Sequence, residues 1–343
     1  KKKKITVAVI GLGYVGLPLC MRLIAKGINV LGIDTDSDKI NLLKKGKSHI
    51  KKLKINKLSY FKKNPKNLSS DYNLIKKSDV IIICLPTPLK KNMIPEMKYI
   101  SLCFQKIKKF LKKNHILILE STVYPGATNK YFNKINKYLN FIVGENIFLI
   151  YSPERENPGD KNFDYIKTPK VVSGKTKNCE IIAKLIYSII CKKVFLASSI
   201  EVAEMSKLLE NTYRSVNIGL VNEFKIISEK MNLNIWDVIK AAKTKNFGFR
   251  PFEPGPGIGG HCIPIDPHYL SWISRRYNYN PSFIASSLLL NKKMPSWTFN
   301  RIIKISKEKR IKLNKILFMG VSYKKNVDDI RESPSIKLIN LFF

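Results

Sequence analysis

Short apolar runs alternate with amphipathic stretches through the first third of the chain. Ile5–Ile10, Asn29–Ile33, Asp79–Leu85 and Ile116–Glu120 are compact apolar runs, whereas Tyr14–Lys26 and Met97–Lys112 carry helical spacing. The runs are rich in β-branched residues and do not alternate polar with apolar. That is the pattern of parallel strands covered on both faces, so an α/β fold with an N-terminal Rossmann-like parallel sheet is expected. From Ser199 to about Met231 the pattern becomes one long helix, with Val202, Met205, Leu209, Tyr213, Val216 and Leu220 at helical spacing. A helix of that length bridges two domains or forms a dimer seam. Met294 then opens a third unit: a basic helix, a strand at Ile316–Val321, a polar loop and a helix starting at Ser335. One strand and part of one helix cannot bury a sheet, so this unit is expected to be truncated.

Charge changes this picture less than its size suggests. The chain has 62 Lys+Arg against 25 Asp+Glu, a formal net charge of +37, which invites a nucleic-acid reading. Only 9 of those basic residues are Arg, and Ile (46) and Asn (29) are enriched alongside Lys (53). These three share A/T-rich codons, and Arg, the preferred reader of bases and phosphates, is the one not enriched. The lysines of residues 44–66 read as a solvated face, and no nucleic-acid partner is expected. No apolar run reaches membrane-spanning length. Residues 1–20 have the basic start and apolar stretch of a signal peptide, but the glycines inside it belong to another motif. The chain opens without Met, so a non-native extreme N-terminus is expected. Six cysteines without a C-x-x-C pair fit a reduced, cytoplasmic setting.

Gly11-Leu12-Gly13-Tyr14-Val15-Gly16 follows the first strand and opens a helix. Gly11 permits a tight turn, Gly13 lets backbone approach a pyrophosphate, and Gly16 allows close helix–strand packing. The helix N-terminus adds free N–H groups. Asp34 ends the second strand, where a carboxylate binds a ribose 2′-hydroxyl; no Arg follows it, which favours NAD over NADP. Thr87 in Cys84–Pro88 and Thr122 in Glu120–Gly126 stand at later strand ends, where ligands collect in open sheets.

Residues 246–270 read NFGFRPFEPGPGIGGHCIPIDPHYL. Cys262 follows Gly259-Gly260-His261 on a loop whose glycines and prolines demand fixed geometry, and such a thiol can attack a carbonyl carbon. Two other readings stand beside it: a structural loop thiol, and a metal site with His261 and His268, although that spacing matches no standard one and no metal is expected. Glu204, Lys207 and Asn211 share one face of the long helix; Lys207 and Asn211 aimed at one point suit a developing oxyanion, and a solvated helix face is the other reading. Glu154, in Tyr151–Gly159, is either a base toward water or a partner of Arg155 or Lys161.

Taken together, GLGYVGLP, PTP, ESTVYPG, SPER, EMSKLLENTYRSVNIGLVNE, GIGGHCIPIDP and SYKKNVDDIRESP resemble the UDP-glucose/GDP-mannose dehydrogenase family, in the family order from Ile5 to about Phe343. The GHCIPIDPHYLSW version is similar to the branch acting on UDP-N-acetylhexosamines, especially UDP-N-acetylglucosamine. The resemblance implies an NAD-dependent four-electron oxidation of a sugar C6 alcohol through a thiohemiacetal and a thioester on Cys262. It implies oxyanion contacts from Lys207 and Asn211, a water and proton route at Asp266 and Thr122, and hydrolytic assistance from Glu154. Gly11, Gly13, Tyr14, Val15, Gly16, Asp34, Thr87, Thr122 and Arg331 are the expected NAD contacts. Glu154, Arg155, Lys207, Asn211, Gly259 and Lys324 are the expected nucleotide-sugar contacts, with Phe247, Arg250 and Phe252 as candidates for the sugar. The expected organisation is residues 1–197 for NAD, 198–298 as a central helical and dimerisation region with the cysteine loop, and 299–343 as the start of a truncated UDP-binding domain. A homodimer through the long helix is expected. UDP-glucose, UDP-N-acetylgalactosamine and UDP-N-acetylmannosamine are the alternative substrates, and an inactive remnant is the alternative of a different class.

Overall fold

A computed structural model describes residues 5–50, 58–157, 165–327 and 329–343. The chain divides into two compact units, Lys1–Lys207 and Leu208–Phe343. The first alternates strands and helices: β1 (Thr6–Ile10), α1 (Gly16–Ala25), β2 (Asn29–Ile33), α2 (Ser37–Lys44), α3 (Ser59–Lys63), β3 (Leu68–Ser69), β4 (Val80–Ile83), α4 (Lys98–Ile107), β5 (His115–Leu119), α5 (Ala127–Leu139), β6 (Ile147–Tyr151), β7 (Lys170–Gly174), α6 (Lys177–Ser188) and β8 (Val194–Leu196). The strands form one sheet in the order β3-β2-β1-β4-β5-β6-β7-β8. Every pairing is parallel except β6 with β7.

The non-alternating strands have the two-sided burial they predict. Ala8, Ile10, Ile81 and Ile83 enter one core with α4 and α5, while Val7, Val9, Val80 and Ile82 enter another with α1 and α6. Successive side chains of a strand point to opposite faces, so both layers draw on the same run. Parallel register sets Val7 beside both Val30 and Val80, which brings the carboxyl ends of β1, β2 and β4 to one edge. His115 anchors the entry of β5. Its Nδ1 accepts from the Lys112 N–H at 3.2 Å, so Nε2 carries the proton and donates to the Ser78 carbonyl at 3.1 Å.

The long helix α7 (Ile200–Lys230) is followed by α8 (Ile235–Ala242), α9 (Asp266–Arg275), α10 (Ser282–Glu308) and α11 (Pro334–Ile339). Two expectations need correction. The predicted strand at 316–321 is not formed: Leu317 is 85% and Met319 89% exposed. A strand needs a ladder partner, and among the described residues the second unit contains no strand. The basic helix begins at Ser282 instead of Met294, running through Pro295. Proline there lacks the N–H that would bond the Asn291 carbonyl, and Gly257 packs beside that carbonyl. Other predicted boundaries shift by one to a few residues.

The face of α7 that is buried is also not the one its apolar stripe suggests. Ala203, Glu204, Lys207, Leu208, Asn211, Thr212, Ser215 and Asn222 are buried. Val202, Met205, Leu209, Tyr213, Leu220, Phe224 and Ile227 are 43–63% exposed.

Candidate active site

In the first unit the glycine turn joins β1 to α1. Gly11 has φ +92°, and a Cβ there would lie 2.5 Å from the Cys84 carbonyl oxygen. At Gly16 a Cβ would stand 1.9 Å from the Gly11 oxygen, so helix and turn touch. At Gly13 it would meet nothing within 4 Å. That open position is where a pyrophosphate needs room, and no side chain caps the N-terminus of α1 after Tyr14 and Val15. The Asp34 carboxylate accepts from the Leu12 N–H at 2.8 Å and the Asp36 N–H at 3.0 Å, with Lys39 Nζ 3.5 Å away. The turn and the carboxylate are thus fixed to one another, a combination that fits the diphosphate and ribose of NAD. Thr87 is buried and Thr122 half-buried in the loops after β4 and β5. Ser121 Oγ links these loops by accepting from the Leu85 N–H at 2.9 Å.

The loop after β6 carries Glu154. Lys207 Nζ donates to the Glu154 carbonyl at 2.7 Å and lies 3.3 Å from its carboxylate. Burial pushes the Glu154 carboxyl up, and the Lys207 charge pulls against that shift. Arg155 donates to the Pro169 carbonyl at 2.9 Å; Lys161 lies outside the described residues, as does Gly159. Glu156 pairs with Arg22 on α1 through both carboxylate oxygens.

Glu204, on the same face of α7 as Lys207, is engaged with α5. Its carboxylate accepts from the Gly126 N–H at 2.6 Å and the Thr128 N–H at 2.8 Å, capping α5. Burial pushes it up to about 7 against those hydrogen bonds. A further cluster had no sequence motif. Lys170, 2% exposed, lies 3.1 Å from Glu120, 3% exposed, and donates to the Pro153 carbonyl at 3.2 Å; Tyr187 OH donates to Glu120. The one signal for it is a lysine opening the apolar strand KVVSG. This buried pair ties the ends of β5 and β7 to the loop that carries Glu154.

In the second unit, Cys262, Asp266 and Asn211 come together. The Cys262 carbonyl accepts from the Ile265 N–H at 3.0 Å and the Asp266 N–H at 2.9 Å, closing the turn that starts α9. Asn211 Nδ2 donates to the Asp266 carboxylate at 2.5 Å. Asn211 sits one helical turn beyond Lys207 on α7. Two buried asparagines, absent from the sequence reading, fix the start of the cysteine loop. Asn222 Oδ1 accepts from the Gly255 N–H at 2.9 Å, and Asn222 Nδ2 donates to Asn291 at 3.0 Å. Among the described residues no three His, Cys, Asp or Glu side chains are grouped to hold a metal. Burial lowers both His261 and His268, keeping them toward the neutral form.

Arg250 and Phe252 line an apolar cavity of about 200 Å³ with Leu220, Phe224, Val238 and Ile239. Phe247 does not line it and is 71% exposed. Gly259 lies against Tyr323 and Glu332. Lys324 is half-buried, and Arg331 grips the Asp329 carboxylate, with Nη2 at 2.6 Å from its oxygen.

Residues 5–191 match the NAD binding domain of the UDP-glucose/GDP-mannose dehydrogenase family, and residues 201–293 match its central domain. The UDP-N-acetyl-D-glucosamine 6-dehydrogenase of Pseudomonas aeruginosa is 37% identical over 98% of this chain and 80% of its own length. The UDP-N-acetyl-D-mannosamine dehydrogenase of Methanococcus maripaludis is 36% identical over 98% of this chain and 76% of its own. The solved UDP-D-ManNAc dehydrogenase of Pyrococcus horikoshii superposes with TM-score 0.90 at 29% identity, covering 98% of this chain and 80% of that one.

Proposed function

Because this chain belongs to the UDP-glucose/GDP-mannose dehydrogenase family, we propose that it oxidises the C6 alcohol of UDP-N-acetylglucosamine to the uronic acid, for polysaccharide synthesis. The observation that carries the reading is the joining of Cys262, Asp266 and Asn211 in one hydrogen-bonded turn. NAD, when bound at the Gly11–Gly16 turn, supplies the hydride acceptor for each of two oxidations. Tyr14, Val15, Asp34, Thr87, Thr122 and Arg331 complete its contacts in this proposal.

The chain's own groups handle the carbon and the protons. As the first hydride leaves, the C6 hydroxyl proton passes to the water at Asp266 and Thr122, giving the aldehyde. The Cys262 thiolate then adds to it, forming the C–S bond of a thiohemiacetal whose oxygen carries the negative charge. Lys207 and Asn211 offer N–H donors to that oxygen. Oxidation leaves a thioester on Cys262. Water held by Asp266 and Thr122 attacks it, Glu154 takes the water's proton, the C–S bond breaks and the thiolate is restored. Arg155, Gly259 and Lys324 are assigned to the nucleotide-sugar, and Phe247, Arg250 and Phe252 to the sugar. The same proposal gives NAD to residues 1–197, the thiol loop to 198–298 and further nucleotide contacts to 299–343, in the cytoplasm. A homodimer through α7 belongs to it, supported by the exposed apolar stripe at helical spacing.

UDP-N-acetylmannosamine is the second reading, supported by the relative at 36% identity and the superposition at TM-score 0.90. Purified protein is given NAD with UDP-N-acetylglucosamine, UDP-N-acetylmannosamine, UDP-N-acetylgalactosamine or UDP-glucose in turn. We expect about two NADH per UDP-N-acetylglucosamine consumed and the highest kcat/KM with it. A higher kcat/KM for the mannosamine sugar transfers the proposal to it, and no NADH with any of the four ends it.

A further inference from the structure

The glycines before Cys262 have no spare room, and one segment takes it from them. A Cβ on Gly260 would lie 2.6 Å from the Tyr323 ring and within 2.9 Å of two further atoms of that ring. A Cβ on Gly259 would meet Tyr323 Cβ at 2.6 Å, the Glu332 carbonyl at 2.8 Å and Pro334 at 2.8 Å. The Gly260 N–H donates to the Arg331 carbonyl at 3.1 Å. The segment holding these groups is itself braced. The Tyr323 N–H donates to the Asp329 carbonyl at 3.4 Å, Ser333 Oγ donates to the Val321 carbonyl at 2.7 Å, and Asp329 is gripped by Arg331. Gly260 has φ +90°, a backbone state glycine alone holds without strain.

We infer that Tyr323 is a positioning residue for Cys262: its ring, seated on Gly260, fixes the loop so that the thiol meets the C6 aldehyde. Burial pushes the Tyr323 phenol up, and Asp329 and then Cys262 add to that shift, in keeping with a ring close to the thiol. The contact comes from the ring face, so the aromatic surface carries the role and the hydroxyl does not. A reactive carbon and its nucleophile must be held within a fraction of an ångström, so loosening this seat acts on thiol addition more than on sugar binding. The inference rests on the thioester chemistry proposed above.

The test compares Tyr323→Phe and Tyr323→Leu with the unmutated protein and with Cys262→Ser. Three quantities are read: NADH per sugar, aldehyde trapped by hydroxylamine, and the rate of Cys262 alkylation by iodoacetamide. Leucine keeps apolar volume, and circular dichroism checks that it folds. We expect Tyr323→Phe to match the unmutated protein. Tyr323→Leu should lose about tenfold in acid formation, release trappable aldehyde, change its alkylation rate and keep KM for the sugar within about twofold. A Leu variant with unchanged acid formation, or a Phe variant as impaired as Leu, overturns the inference. So does a Leu variant that folds poorly or loses sugar binding and chemistry together while Phe is normal, because the ring is then only structural. Acid formation that persists in Cys262→Ser instead overturns the thioester reading.

Discussion

Three glycines in one turn carry unequal burdens, and this separates folding from cofactor binding residue by residue. Gly16→Ala would drive a methyl group into the Gly11 carbonyl, 1.9 Å away, so it should destabilise the first unit by about 3 kcal/mol or more. Gly13→Ala meets nothing within 4 Å and should melt normally, yet raise KM for NAD about tenfold or more. Thermal melting and NAD titration on the two variants check the pair; equal melting temperatures would refute the assignment. The buried Lys170–Glu120 pair gives a third residue-level expectation. Lys170→Met leaves the Glu120 carboxylate without its cation, held by the Tyr187 hydroxyl alone, and should cost about 3–5 kcal/mol in a denaturant titration, while adding Glu120→Gln should recover part of the loss. The glycine turn and Asp34 were legible because their spacing along the chain is the signal. Lys170, Glu120, Tyr187, Asn222, Asn291 and Tyr323 were not, because each meets partners far away in sequence that only the completed packing brings near.

Among the elements, β5 depends on a histidine that must stay neutral. Burial, then Lys112, lowers His115 from 6.5 to about 4, opposed by the Ser78 carbonyl. In the unfolded chain the same ring binds a proton at higher pH. Stability is therefore fully present above pH 6.5 and falls as pH drops from there toward 4, by up to about 3 kcal/mol. His115→Gln should flatten that part of a stability–pH curve, measured by denaturant titration at several pH values. An unchanged slope would show that other groups carry it. The strands around β5 were readable from their apolar runs because burial on both faces writes itself into composition. The segment at 316–321 has the same composition but no neighbouring strand, and composition does not encode a partner. The helix α7 was legible as a helix and not in its facing, since its hydrogen-bonding side chains are the ones buried.

For the molecule as a whole, the net charge of +37 acts on encounter. Anionic UDP-sugar and NAD approach a lysine-rich surface, and that attraction is screened at moderate ionic strength. KM for both should rise with added salt while kcat holds, and a salt-independent KM would remove charge from the account. The apolar side of α7 has a different consequence. If its cover is a second copy, each folded protomer is stabilised by mass action, so the population of intact molecules depends on how many are present. Dilution alone should then lower the melting temperature, and enzyme assayed at very low concentration should lose specific activity on standing. Stocks kept concentrated would retain it.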